Sequence, residues 1–342
     1  MQETSPLESK IIDKPLILAG ENIDLFAEYN AGRLPILTIN LTGRCNLDCI
    51  YCFTNAGEAD PDELNMDEWR TVLDEASDLG CRVVHIGGKG EPTIDKCFEE
   101  FVEYASSKGM QIILDTNATF IDAEMASFLY QHDVTAVVKI PSFDEKVYDE
   151  LANVKGLAPA AYDGLNQLIE AGYPYLNDNG KEIETNLAVM SLVCAPAKDT
   201  IRDVWLFNQA HNIYSITTDM VVGGRAIKNY DKLKISREEK MDLYQQFLED
   251  MDQEPSSRAE KCHIVHGIYV NNNGEVMADS AARSCDTSHE EFGMNVRDFS
   301  IEEIFNSLKE VRNSVGSHDH RIHTNEPFKP CFRAVDSQKE MQ

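Results

Sequence analysis

The chain has 342 residues, 42% hydrophobic and 8% aromatic, which is enough apolar material for one large domain, or one large and one small, and too much for a disordered chain. Its 31 Lys and Arg against 59 Asp and Glu give a formal net charge of −28, which repels nucleic-acid phosphates and anionic membrane surfaces alike. No apolar run is long enough for a membrane span, residues 1–14 lack a secretory pattern, and 9 cysteines make an odd number for a disulfide framework, so a cytoplasmic protein with metal or redox cysteines is expected.

Residues 1–35 read as an N-terminal extension. From there to about residue 225, strand-like runs at 36–41, 82–86, 110–115, 135–140, 185–193 and 215–220 alternate with helix-like stretches at 67–79, 97–108, 122–131, 159–171 and 200–211. This alternation predicts an α/β fold with a parallel sheet and helices outside; an open sheet and a curved partial barrel fit the periodicity equally. Residues 226–255 read as a linker and helix, the helix spanning 236–250 with Ser236 as N-cap and Glu239 closing a capping box. Segments 267–270 and 275–278 flank Asn271-Asn272-Asn273-Gly274, whose Asn-Gly end signals a hairpin. A last helix is predicted over 300–312, opened by Ser300 and Glu303, so residues 256–342 form a small appended α+β module.

The strongest chemical pattern is Cys45-Asn46-Leu47-Asp48-Cys49-Ile50-Tyr51-Cys52, in the loop after the first strand. Thiolates hold iron–sulfur clusters, and three of them leave one iron of a four-iron cluster open for chemistry. A zinc knuckle would need a fourth ligand, and neither His nor further Cys lies between Leu34 and Leu79. CxxxCxxC with an aromatic directly before the last Cys resembles the radical S-adenosylmethionine (SAM) superfamily. The resemblance implies a partial (β/α)6 TIM-like barrel and a [4Fe–4S] cluster on Cys45, Cys49 and Cys52, with SAM chelated at the open iron. Reductive cleavage of SAM would give a 5′-deoxyadenosyl radical that takes a hydrogen atom from substrate, with a flavodoxin or ferredoxin as reductase.

Further segments carry the same resemblance. His85-Ile86-Gly87-Gly88-Lys89-Gly90-Glu91-Pro92 is similar to the family's GGEP motif, lengthened to GGKGEP. Its glycines would let backbone carbonyls reach the methionyl ammonium of SAM, with Glu91 anchoring the turn or the ammonium. Asp115-Thr116-Asn117 resembles a TNG-like segment, with Ala118 in place of the usual glycine. Pro141-Ser142-Phe143-Asp144 resembles the segment whose serine contacts SAM, and Lys155 is a candidate for the basic residue that follows. Gly87, Gly88, Gly90, Glu91, Asp115, Asn117 and Ser142 are thus SAM-binding candidates, with turn or cap chemistry as the alternative for Asp115, Asn117 and Ser142. Arg225 is assigned to SAM's carboxylate or an anionic substrate, or to a surface ion pair.

In the last third, Cys262, Cys285 and Cys331 around the hairpin resemble the SPASM or twitch extension. That implies one auxiliary iron–sulfur cluster of [4Fe–4S] type. Its fourth ligand would be Asp279, a histidine of 318–323, or substrate; three buried cysteines, or a zinc site, are the alternatives. Cys81 and Cys97 read as core, and Cys194, ending the fifth strand, as a candidate hydrogen-atom donor or a small buried residue.

The expected substrate is a small polar metabolite of sugar, aminocyclitol or nucleoside type, oxidised or epimerised, because about 35 residues before the first strand are too few for a peptide-recognition domain. A peptide maturase is the alternative. A non-catalytic iron–sulfur protein is the alternative from another class, against which the GGKGEP turn argues.

Overall fold

A parallel sheet buried on both faces needs apolar residues at successive positions, and segments such as Val83-Val84-His85-Ile86 supply them. The computed structural model describes residues 25–176, 183–250, 267–277 and 293–315. The first half holds α1 (Leu25–Asn30), β1 (Leu37–Ile39), α2 (Met66–Asp78), β2 (Val83–Ile86), α3 (Phe98–Ser107), β3 (Gln111–Thr116), α4 (Ala123–Gln131), β4 (Thr135–Lys139), α5 (Glu145–Ala152) and α6 (Ala158–Glu170). There follow β5 (Pro174–Leu176), β6 (Ile183–Thr185), β7 (Leu187–Val193), α7 (Ile201–Ala210), β8 (Tyr214–Asp219), α8 (Gly224–Lys228), α9 (Tyr230–Leu233) and α10 (Arg237–Asp250). The last described elements are β9 (Ile268–Val270), β10 (Val276–Met277) and α11 (Ile301–Val315).

Strands β1, β2, β3, β4, β7 and β8 lie side by side and parallel, as the alternation predicts. Alternate residues divide the two faces. Leu37, Ile39, Val84 and Ile86 pack with the helices in the main core, where Trp69 of α2 meets Phe101 of α3 edge to face at 5.7 Å. Ile36, Val83, Ile113, Val137 and Ala188 form a second apolar cluster on the opposite face. Burying each large side chain contributes roughly 1.5–3 kcal/mol, so both faces hold the curved sheet together.

Four features differ from the sequence reading. Helix α5 is additional; Asp144 caps it, its side chain accepting from the amides of Lys146 and Val147. β5 and β6 pair antiparallel, so the segment before β7 doubles back. The linker contains α8 and α9. The hairpin does not stand apart from the barrel, because β9 pairs in parallel with β1 and β10 extends the same sheet antiparallel. Helix α11 then lies on α2, with the Ile301 amide donating to Glu75 Oε2 at 2.7 Å and Phe305 edge-on to Tyr29. Both capping boxes form: Ser236 and Glu239 bond reciprocally at 3.1 and 3.2 Å, Ser300 and Glu303 at 2.9 and 3.3 Å. Cys262, Asp279, Cys285, Cys331 and the histidines of 318–323 lie outside the described residues.

Candidate active site

The cysteine loop follows β1 and is held from three sides. The last turn of a helix leaves carbonyls without intrahelical partners. Those of Leu151 and Ala152 in α5 accept the amides of Ile50 and Asp48 at 2.9 and 3.1 Å. Arg225 of α8 donates from Nε to the Cys49 carbonyl at 2.9 Å and from Nη1 to the Ala56 carbonyl at 2.6 Å, and it pairs with Asp48 at 3.2 Å. Its amide donates to the Cys52 carbonyl at 2.8 Å. Arg225 therefore clamps the loop, and its pairing with exposed Asp48 matches the ion-pair alternative of the sequence reading.

Cys45, Cys49 and Cys52 are partly exposed, whereas Cys81, Cys97 and Cys194 are buried. Burial pushes the Cys49 thiol up to about 12. Burial opposes ionisation of Cys52 as well, but hydrogen bonds from Thr54 and Ala56 and the charge of Arg225 outweigh it and bring that thiol below its ordinary value. The three thiols sense one another's charge. Among the described residues no three His, Cys, Asp or Glu converge as ligands of a single ion. Three soft donors on one loop, with no His or further Cys between Leu34 and Leu79 to complete a zinc set, fit a cluster better than a zinc knuckle.

The GGKGEP turn leans on this loop. Thr54 Oγ1 lies 3.4 Å from Cys52 Sγ and donates to the Gly88 carbonyl at 3.3 Å. The Glu91 amide donates to the Arg44 carbonyl at 2.7 Å. Gly88 has φ +112°, and a Cβ there would meet the Tyr269 hydroxyl at 2.6 Å and Asn40 Oδ1 at 2.9 Å. The space beside Gly88 is thus filled by this chain's own side chains. Buried Glu91 accepts from Thr93 Oγ1, Thr116 Oγ1 and the Asn117 amide, each at 2.7 Å, and anchors the turn to the end of β3. Burial pushes its carboxyl up against the pull of these bonds.

Asn117 donates to Asn46 Oδ1 at 2.9 Å and accepts from Thr119, joining the β3 loop to the cysteine loop. Ala118 has φ +60°, the conformation that makes glycine usual at this position. Ser142 is fully buried; its hydroxyl donates to Thr200 Oγ1 at 2.8 Å and accepts the Asp144 amide at 3.0 Å. That is turn and cap chemistry, the alternative reading for this serine. Cys194 is fully buried with Ile50, Leu151, Ala197, Ala226 and Leu233, so the structure places it in packing behind the cysteine loop, not at the barrel mouth as a hydrogen donor.

Sequence reasoning missed a layer of charge inside the barrel. His85, Asp115 and Lys139 lie two residues beyond Val83, Ile113 and Val137 and share their face, directly above the inner apolar cluster. Asp115 Oδ1 is 3.2 Å from His85 Nε2, and Asp115 Oδ2 is 3.2 Å from Lys139 Nζ. Burial opposes ionisation of Asp115, but the charges of Lys139 and His85 outweigh it and hold the carboxyl well below the usual carboxylate range. A Cβ on Gly87 would lie 2.8 Å from the Asp115 side chain, so Gly87 makes room for this aspartate. The available signal was polar residues at inward strand positions where period-two alternation demands apolar ones.

A parallel partial barrel with a three-cysteine loop after β1 and a glycine-rich turn after β2 defines the radical SAM type of site. Residues 39–181 match the Radical SAM superfamily, so this part of the chain is a radical SAM domain, whose family uses a [4Fe–4S] cluster and SAM. The chain is 32% identical over 146 residues to the Fe-coproporphyrin III synthase of Methanosarcina barkeri, covering 42% of this chain and 36% of that protein. It is 33% identical over 138 residues to the mycofactocin maturase MftC of Mycolicibacterium smegmatis, covering 40% and 35%. It is 35% identical over 120 residues to the PqqA peptide cyclase of Bradyrhizobium diazoefficiens, covering 34% and 31%. The match thus spans about a third of the length of these curated relatives. Streptococcus suis SuiB bound to precursor peptide SuiA shares the fold, with a TM-score of 0.62 at 14% identity, covering 84% of this chain and 70% of that one. The maturase and the peptide cyclase overturn the expectation of a sugar, aminocyclitol or nucleoside substrate. Among the described residues no helix is long and apolar enough to cross a membrane.

Proposed function

We propose that this chain is a radical SAM enzyme that modifies a peptide. The observation that carries the reading is the 35% identity to a PqqA peptide cyclase, supported by the mycofactocin maturase. When bound, the cluster and SAM supply a 5′-deoxyadenosyl radical that takes a hydrogen atom from the substrate. Cys45, Cys49 and Cys52 hold the cluster on the loop that Arg225 and α5 fix. Gly87, Gly88 and Gly90, with Glu91 as strut, shape the SAM-binding turn. Asn117 ties that turn to the cysteine loop through Asn46. Asp115, Lys139 and His85 form the polar floor facing the substrate, and the apolar layer beneath them excludes water. Cys262, Cys285 and Cys331, which lie outside the described residues, would hold one auxiliary cluster, and a flavodoxin or ferredoxin would deliver electrons.

Two measurements test this. The holoenzyme is incubated anaerobically with SAM, reductant and synthetic peptides encoded by short reading frames beside its gene. A peptide whose mass changes in step with 5′-deoxyadenosine formation is expected; no mass change in any of them removes the peptide reading. Fe-coproporphyrin III as a further substrate tests the second reading, which the 32% identity to its synthase favours. Replacing Cys45, Cys49 and Cys52 by Ala should abolish 5′-deoxyadenosine formation and leave only iron held by the C-terminal cysteines. Persistent SAM cleavage in that variant refutes the cluster assignment.

A further inference from the structure

The Asn271-Asn272-Asn273-Gly274 turn does more than close a hairpin. Closure needs only the backbone: the Gly274 amide donates to the Asn271 carbonyl at 2.8 Å, and Gly274 takes φ +85°. Asn273 is also used locally, its Oδ1 accepting the Glu275 amide at 3.2 Å. Asn271 keeps its Nδ2 within the hairpin, against Met277 Sδ at 3.1 Å, and turns its Oδ1 outward, while the Asn272 side chain leaves the turn altogether. The parallel register Leu37↔Ile268 and Ile39↔Val270 brings the turn to the end of the sheet where the cysteine loop begins.

Asn272 is 1% exposed. Its Nδ2 donates to Asp60 Oδ2 at 2.7 Å and to Glu63 Oε1 at 2.8 Å, and its backbone carbonyl accepts the Leu64 amide at 2.6 Å. Glu63 in turn accepts from Thr42 Oγ1 at 3.0 Å and from the Gly43 amide at 2.7 Å, where the cysteine loop starts. Asp60 pairs with the ammonium of Lys89. The Lys89 amide donates to Asn40 Oδ1 at 2.7 Å, and Asn40 Nδ2 donates to Asn271 Oδ1 at 2.7 Å. Lys89, the residue that lengthens GGEP to GGKGEP, is therefore tied at both its amide and its ammonium to groups that the hairpin asparagines hold. The Asn272 amide bridges the two carboxylates, one of which, Asp60, carries the Lys89 ammonium; hydrogen bonds to charged groups are the stronger class. Tyr269 of β9 adds a direct contact, its hydroxyl lying beside Gly88.

We propose that Asn271 and Asn272 are positioning residues for SAM: acting through Asn40, Asp60, Glu63 and Lys89, they set the geometry of the GGKGEP turn and couple SAM affinity to the C-terminal hairpin. The proposal rests on the reading that this turn binds SAM. Severing the link frees the turn without touching the cysteines, so SAM affinity falls while iron content holds.

The test uses the full-length reconstituted protein and SAM itself as probe. Asn272→Asp places a third carboxylate beside Asp60 and Glu63, and Lys89→Met removes the ammonium while leaving the hairpin intact. Both should weaken SAM binding by about tenfold or more, the scale expected from losing one charge-assisted contact. Iron content should stay at the wild-type level, and amide hydrogen exchange over residues 87–91 should quicken even without SAM. Lys89→Arg should restore both affinity and protection, and Asn273→Ala should change neither. Unchanged affinity and exchange in Lys89→Met and Asn272→Asp would overturn the proposal, as would iron loss in step with affinity, which would assign the network to the cysteine loop alone. Affinity and exchange together separate the two claims: quickened exchange over residues 87–91 in Lys89→Met and Asn272→Asp with unchanged SAM affinity would show that the hairpin holds the turn and that the turn does not bind SAM.

Discussion

A Cβ placed on Gly90 would stand 2.1 Å from the carbonyl oxygen of Thr42. The glycine-rich turn and the entry to the cysteine loop are thus packed backbone against backbone, and Gly90 also has φ +81°. The left-handed backbone alone costs a substituted residue about 1–2 kcal/mol, and the clash adds to it. Gly90→Ala should therefore lower the urea midpoint and the iron content together. Gly57→Ala is the control, since nothing lies within 4 Å of its Cβ and its φ is not positive. Equal iron content and equal midpoints in the two variants would show that the contact does not matter.

Arg225→Lys makes a sharper test of the loop clamp. A lysine ammonium is a single point of charge and does not reproduce the planar fork that reaches the Cys49 and Ala56 carbonyls together. Faster loss of iron to a chelator is expected, with secondary structure by circular dichroism unchanged. Chelation at the wild-type rate would mean that α5 and the backbone bond from the Cys45 amide to the Gly57 carbonyl, 2.9 Å long, hold the loop without Arg225.

The parallel strands and the cysteine loop were legible in the sequence because each rests on a local pattern: alternation of element types for the sheet, ligand spacing for the loop. The roles of single polar residues were not. Position alone left Ser142, Arg225 and Glu91 open between ligand contact and internal bonding, and each is settled by a side-chain partner far off in the chain, 58, 176 and 25 residues away. Only the folded register brings such partners together. The hairpin was legible as a hairpin, but its pairing with β1 joins Leu37 to Ile268, and no window of sequence contains both. Helix α5 was missed because it has just 8 residues, although its Asp144 cap followed by Val147, Tyr148 and Leu151 carried a usable signal.

The inner charged layer predicts an acid dependence. The Asp115 carboxyl is held below its ordinary value by Lys139 and His85, so the folded state binds its proton less readily than the unfolded chain. The stabilisation is complete above the unfolded-state value of about 4 and is lost as pH falls through it towards the depressed folded value. Asp115→Asn should flatten the acid limb of the stability curve and lower stability at neutral pH by about 1.5–3 kcal/mol, the range for hydrogen bonds to charged groups. The measurement is urea unfolding between pH 3 and about 7, the span that brackets the unfolded carboxylate. Parallel curves for wild type and variant would remove Asp115 as the cause.

Cys194 distinguishes packing from radical chemistry. It is fully buried, its neighbours are Ile50, Leu151, Ala197, Ala226 and Leu233, and burial pushes its thiol up to about 11. A thiol in such a setting behaves as a small apolar group. Cys194→Ala should leave 5′-deoxyadenosine formation and peptide modification at wild-type levels and destabilise the fold only slightly. Cys194→Ser should cost more, about 1–3 kcal/mol, because a hydroxyl there is desolvated without an assured partner. Mass spectrometry of the product in deuterated solvent checks the chemistry, and thermal unfolding checks the packing. If Cys194→Ala stalls product formation after hydrogen abstraction while its melting curve matches wild type, the thiol is a hydrogen donor and the packing assignment falls.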